Sequence, residues 1–313
     1  MTKQIIQSPA VDQTENLLSI FKNEFSSTVI PVYIKSIDRT LNFREITVGE
    51  YKTFAKTALD NANRPATVFK AINSLITNVQ IDKSVDINDL LDVDQVHILF
   101  SLCQTTFLNK PRTLNCPECS TQWSASVDVE AIKDNFASID IADKDYTIED
   151  TNRIYTFTVG FPTVRRLTNV FETVQRDATK NKAVKRAAEN QGDADTDDAD
   201  NVTSDSLELA TAYITAFIKK LSIVRKIKSD SESEPANNNI VAELEILPVA
   251  VANKLIGMLP RAILSSGDDS GIFTKITNDF ISKENGVFVK STCPQCGTEA
   301  RGQIGSVTDF LLS

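Results

Sequence analysis

A single histidine, His97, is present among 313 residues, so chemistry that needs several imidazoles has almost nothing to draw on. No apolar run approaches the roughly 20 residues that span a bilayer. The first residues, MTKQIIQSPAVDQTEN, lack the apolar stretch of a secretory signal. The expected setting is therefore a reducing cytoplasm, with no membrane span. Neither G-x-x-x-x-G-K-[ST] nor G-x-G-x-x-G occurs, which leaves nucleotide binding without a motif. No G-x-S-x-G elbow occurs either. Positive charge is also short: 33 basic against 42 acidic residues give a net charge of −9, a poor balance for coating phosphates. The composition points away from an enzyme and from nucleic acid, and toward a protein that binds proteins.

Cysteine is scarce but patterned. Four of the five cysteines form two C-P-x-C pairs, Cys116-Pro117-Glu118-Cys119 and Cys293-Pro294-Gln295-Cys296. In a reducing compartment, two such pairs read as a Cys₄ zinc site. Proline after the first cysteine and a small residue after the second (Ser120, Gly297) suit a tight knuckle. Each pair supplies two thiolates, and two pairs close a tetrahedral shell with no position left for water or substrate. The zinc expected at Cys116, Cys119, Cys293 and Cys296 is therefore structural. The pairs lie about 175 residues apart, and closing such a loop costs on the order of 4–5 kcal/mol. A structural zinc site contributes roughly 10–16 kcal/mol, which exceeds that cost. A thioredoxin-like redox pair competes with this reading, but Trp123, Ala125, Val127 and Val129 alternate after the first knuckle where that motif needs a helix.

The fifth cysteine, Cys103, falls on a stripe with Val93, Val96, Phe100 and Phe107 at steps of three and four, so a buried core thiol on a 90–108 helix is expected. His97 sits beside that stripe as a half-exposed structural residue.

A repeated pattern organises the rest. The alternating Leu41-Asn42-Phe43 precedes Thr47 and Glu50, whose spacing is that of a capping box. The helix that should start there has apolar positions Val48, Tyr51, Phe54, Ala55 and Ala58. A shift of 116 residues brings back Phe157 and Val159, then Val164, Leu167, Val170, Phe171 and Val174. An apolar segment from Val68 to Val79 continues the first half. In the second half, Leu207, Ala210, Ile214, Phe217, Leu221 and Val224 step by three and four as one helix. Further helices are expected over 248–264, broken at Pro260, and over 272–281, with a strand at 287–289.

These readings give an α+β, mostly helical protein of two related strand–helices–knuckle halves, joined at a zinc-ribbon-like centre. Residues 1–35 form an N-terminal arm with a short amphipathic stretch (Leu17, Leu18, Ile20, Phe21), 36–135 the first unit, 136–151 a linker and 152–313 the second unit. Polar insertions fall near 177–206 and 229–239. In the first of these, Asp193, Asp195 and Asp197 mimic the start of a calcium loop, but Asp198 and Ser204 stand where it needs glycine and glutamate. A solvated acidic loop is the expectation there.

The order of parts resembles a known family. A strand reading Leu41-Asn42-Phe43-Arg44, a capped helix with Glu50-Tyr51-Lys52, a long apolar helix, and a C-P-x-C knuckle with its strand look like the baseplate hub proteins of T4-like contractile-tailed phages. The resemblance covers roughly residues 36–135, with a weaker echo over 152–313; the acidic insertion and the long second half depart from it. It implies a non-enzymatic structural subunit of the central hub of a phage tail baseplate. Other hub and tail proteins would be its partners. Its place would be the virion tail, and the host cytoplasm during assembly. The alternative class is a zinc-ribbon adaptor for nucleic acid or transcription machinery. Arg301 as the one cation in the eleven residues after Cys296 argues against it.

Overall fold

The computed structural model describes residues 28–62, 64–103, 112–126, 129–189, 208–226, 239–265, 271–281 and 288–303. The chain opens with a hairpin of β1 (Val29–Ile34) and β2 (Arg39–Arg44), paired from Val29 with Arg44 to Ile34 with Arg39. Alternation places Val32, Ile34, Leu41 and Phe43 on its buried face. Three helices follow, α1 (Val48–Asp60), α2 (Pro65–Val79) and α3 (Asp92–Cys103). Hairpin β3 (Arg112–Asn115) and β4 (Gln122–Ala125) and helix α4 (Val129–Ser138) complete the first part. The second part has β5 (Lys144–Glu149), β6 (Arg153–Val159), the long α5 (Val164–Glu189), α6 (208–216), β7 (Ile218–Arg225) and β8 (Ile240–Glu243). These four strands form one antiparallel sheet in the order β5-β6-β7-β8. Helices α7 (Val249–Gly257), α8 (Arg261–Leu264) and α9 (Ile272–Ile276) follow. The last runs into a π-helical turn, Thr277–Ile281, ahead of the hairpin β9 (Phe288–Thr292) and β10 (Glu299–Gln303).

Mixed helix and strand make the protein α+β. The capping box forms as its spacing requires: the Glu50 amide donates to Thr47 Oγ1 at 3.3 Å, and the Thr47 amide donates to Glu50 Oε2 at 3.0 Å. A strand precedes a helix at both places: Leu41 and Phe43 on β2, and Phe157 and Val159 on β6, are all fully buried ahead of α1 and α5. Pro260 separates α7 from α8, as its missing N–H demands.

The core is shared by the two parts. One apolar cluster runs from Val32 and Phe43 through Ile76 and Ile98 to Phe157, Phe217 and Phe280. A smaller one, with Leu167, Val170, Ala212 and Val249, lies between α5, α6 and α7. Backbone bonds join the parts as well: the Asp92 amide donates to Pro162 O and the Val164 amide to Leu90 O, both at 2.9 Å.

Three expectations change. The helix read over 207–224 ends at residue 216, and Ile218–Arg225 is strand β7. Leu221 and Val224 satisfy a helical period, but β7 is an inner strand hydrogen-bonded to β6 and β8. That environment favours the β-branched Ile218, Ile223 and Val224. Val48, expected on the core face of α1, is 70% exposed, and Phe54 and Ala58 make the contact with the core instead. The stretch 136–151, read as a linker, holds the end of α4 and all of β5, whose Tyr146 donates to Asp279 Oδ2 at 2.6 Å. Residues 190–207 and 227–238, the calcium-like acidic loop among them, and the arm through residue 27 lie outside the described residues, as does the side chain of Cys103.

A testable consequence arises at the start of α1. The Arg44 guanidinium holds the Glu50 carboxyl down to about 2 from an ordinary 4.5, and the Thr47 amide and hydroxyl add to the effect. The Arg44–Glu50 nitrogen–oxygen distances are 2.6 and 2.8 Å. A carboxyl depressed in the folded state stabilises the fold above its unfolded pKa, and that stabilisation disappears as pH falls through the folded one. Between pH 4.5 and 2, wild type should therefore lose about 1–2 kcal/mol more stability than Glu50→Gln, after allowance for partial exposure. Urea melts at several pH values measure the difference. Parallel curves for the two proteins would contradict it.

Candidate metal centre

Each C-P-x-C pair forms the turn of a two-stranded hairpin, Cys116–Thr121 between β3 and β4 and Cys293–Thr298 between β9 and β10. The two turns have the same hydrogen bonds. The Ser120 amide donates to Cys116 O, and the Gly297 amide to Cys293 O, each at 3.0 Å. Cys116 donates from its amide to Thr121 O, and Cys293 to Thr298 O, each at 2.9 Å. Both turns need a left-handed residue after the second cysteine, and Ser120 (φ 59°) and Gly297 (φ 77°) supply it. Glycine does so without a Cβ penalty, whereas serine bears about 1 kcal/mol of strain.

The hairpins meet face to face. Trp123 Nε1 donates to Ser291 Oγ at 3.1 Å, and the Thr121 hydroxyl donates to Gln295 Oε1. This brings together four thiol groups from sequence-distant segments, Cys116, Cys119, Cys293 and Cys296, with all four sulfurs within 4.8 Å of one another. Cys116 Sγ lies 3.4 Å from Cys296 Sγ, and Cys119 Sγ lies 3.6 Å from Cys293 Sγ. A disulfide needs about 2.05 Å, so these are free thiols. Four sulfurs about 2.3 Å from a central zinc stand roughly 3.8 Å apart, close to the spacing found. Cys116 and Cys293 are buried, Cys119 is half-buried and Cys296 is exposed.

The thiols do not hold their protons equally. Cys296 is pulled down to about 6 by the hydroxyl and amide of Thr298 and by the Cys116 thiol. Thr121 lowers Cys119 in the same way. At Cys116 the Cys119 amide acts downward, but burial and the neighbouring Cys296 and Cys119 sulfurs prevail and push the thiol up to about 11. The Thr298 contacts thus favour the thiolate at Cys296, whereas burial and the neighbouring sulfurs favour the thiol at Cys116. A soft divalent cation would replace the thiol protons, and the donor set, four sulfurs with no carboxylate or imidazole, fits zinc.

Sequence reasoning identified the four cysteines but missed the second layer around them. Thr121 Oγ1 lies 3.1 Å from Cys119 Sγ and Thr298 Oγ1 3.3 Å from Cys296 Sγ. The signal was present, since both motifs read C-P-x-C, then a small residue, then threonine. His97 is remote in role: half-buried on α3, it stacks on Phe136 with ring centroids 4.9 Å apart. Burial, and then the Lys133 charge, lower its pKa.

A family model described as T4 bacteriophage base plate protein matches residues 27–224. That span is well over half of the chain and takes in Cys116 and Cys119, but ends before Cys293. No curated protein and no solved structure matches the chain.

Proposed function

The chain belongs to the T4 bacteriophage base plate protein family, and from that premise we propose that it is a subunit of the central baseplate hub, working by protein–protein binding around a structural zinc. The family match carries the structural tail role, and partners among phage tail proteins follow from it. The zinc rests on the four converging sulfurs. With every ligand position taken by sulfur, such an ion stiffens a surface and offers substrate no coordination site, so the role is non-enzymatic. Among the described residues no helix is long and apolar enough to cross a membrane. We read the two units, 36–135 and 152–313, as sharing one core, with the metal clasping the second knuckle to the first.

Zinc is the ion to test first. Protein purified under reduction, without added metal, should carry close to one zinc per chain, held by Cys116, Cys119, Cys293 and Cys296. Elemental analysis that finds none would remove the metal from the proposal. The partner class is tested by recovering the full chain from infected-cell lysate. Tail proteins in the recovered complex support the hub. RNA polymerase or nucleic acid without tail proteins would transfer the chain to the adaptor class.

A further inference from the structure

Helix α7 is apolar almost all the way round: from residue 249 to residue 258 only Asn253 and Lys254 are polar. At about 3.6 residues per turn, Val249, Ala252 and Ile256 share one side, and all three are buried. Ala250, Val251, Lys254, Gly257 and Met258 share the other side and are exposed, Val251 by 44% and Met258 by 67%. Ile246, just ahead of the helix, is 81% exposed, more than any other large apolar residue described. A surface helix ordinarily turns a polar face to water, and this one does not. Apolar side chains exposed singly need no explanation, whereas a contiguous set marks an interaction site. Gly257 is equally unexplained by the chain itself. A Cβ built on it meets nothing within 4 Å and its φ is not positive, yet glycine in a helix costs about 0.5–1 kcal/mol relative to alanine.

We propose that this face of α7 docks a helix of a different protein, one that sets a carboxylate among apolar residues at three- and four-residue spacing. Val251 and Met258 form one row along the exposed side and Ala250 and Gly257 a second, the members of each row seven residues apart. A row of large side chains beside a row of small ones makes a ridge and a groove, the relief against which another helix packs. The missing side chain at Gly257 lets the second backbone approach closely. Lys254 stands between the rows at the centre of the face, exposed and without an ion pair among the described residues. A wholly apolar partner would bury that ammonium unpaired, at a high cost, and a carboxylate opposite it offsets the cost. A second copy of this chain is the wrong occupant. A two-fold contact centred on the face sets Lys254 against its own mate, and like charges so placed repel. A cation in the last turn also suits the helix dipole, but that accounts for none of the apolar residues around it. The surface is defined by these residues alone, so it stands whether or not the partners are tail proteins and whether or not the knuckles hold zinc.

The test replaces Met258 in the full-length chain by the photo-crosslinking residue p-benzoylphenylalanine, irradiates it in infected-cell lysate and sequences the cross-linked peptide by mass spectrometry. The expected peptide comes from another protein, carries apolar residues at helical spacing and includes Asp or Glu among them. Lys254→Glu in the same chain should reduce cross-linking about tenfold or more, and changing the partner's carboxylate to lysine should restore it. Gly257→Leu should reduce it as far while the melting temperature stays level or rises slightly, because leucine is the better helix former and fills only the space left for the partner. No cross-link, a partner peptide without a carboxylate, or undiminished cross-linking in Lys254→Glu and Gly257→Leu would each overturn the proposal. A cross-linked product of twice the chain's mass would assign the face to a second copy and overturn it equally.

Discussion

Cys293→Ser is expected to reduce bound zinc from about one per chain to near zero and to release the C-terminal hairpin while most of the core stays folded. The reason lies in how β9–β10 is held. Its knuckle joins the body through the sulfurs, the Trp123–Ser291 bond and the Thr121–Gln295 bond. An isolated two-stranded hairpin is marginal in water, and a three-thiolate site loses much of the roughly 10–16 kcal/mol of apparent binding energy such sites supply. The large core, by contrast, is built from residues such as Ile34, Phe43, Phe157 and Phe217, which are buried independently of the metal. Amide exchange should therefore accelerate on the order of 100-fold over residues 288–303 and 112–126 while β6 and β7 keep their protection. If β6 and β7 open in step with the hairpin, the clasp supports the whole fold and this division of stability is wrong. Cys116→Ser should behave the same way, because either substitution breaks the one shared shell.

Arg166→Ala should cause the largest loss of stability away from the metal. Arg166 is 8% exposed on α5 and reaches three backbone carbonyls: Nε donates to Ala216 O at 3.1 Å, and Nη1 donates to Leu244 O at 3.0 Å and Glu245 O at 2.9 Å. It thereby satisfies the end of α6 and the turn after β8 in one step. Burial lowers its pKa, with the Glu245 charge acting in the opposite direction; a guanidinium keeps its proton regardless. Truncation leaves three carbonyls without their donor, at about 1–3 kcal/mol for each one that water cannot reach. A total near 4 kcal/mol is expected, on the order of 10 °C in melting temperature for a protein of this size. Arg166→Lys should recover only part, because one ammonium cannot reproduce the planar fork. A shift under about 2 °C for the alanine variant would show that water replaces the guanidinium.

Local features of this protein were legible in its sequence because their causes are local. Thr47 and Glu50 cap α1 through bonds spanning three residues, Pro260 interrupts a helix by lacking a donor, and C-P-x-C followed by a left-handed Ser120 or Gly297 makes a knuckle wherever it occurs. The repeated strand-then-helix pattern could be read for the same reason, since alternation and the helical period are properties of a few consecutive residues. The 218–225 segment shows where that reasoning ends: Leu221 and Val224 satisfy a helical step and a strand equally well, and hydrogen bonds from β6 and β8, remote in sequence, made it a strand. Val48 turned outward because α1 had only one core to face, and which side faced it depended on α2. Arg166 carried no signal at all, for its three acceptors belong to residues 50 to 79 positions away. The four cysteines lie between these cases. Composition and spacing determined that they would seek one another, but their convergence within 4.8 Å was decided by two hairpins meeting across the fold, a long-range contact that no local pattern encodes.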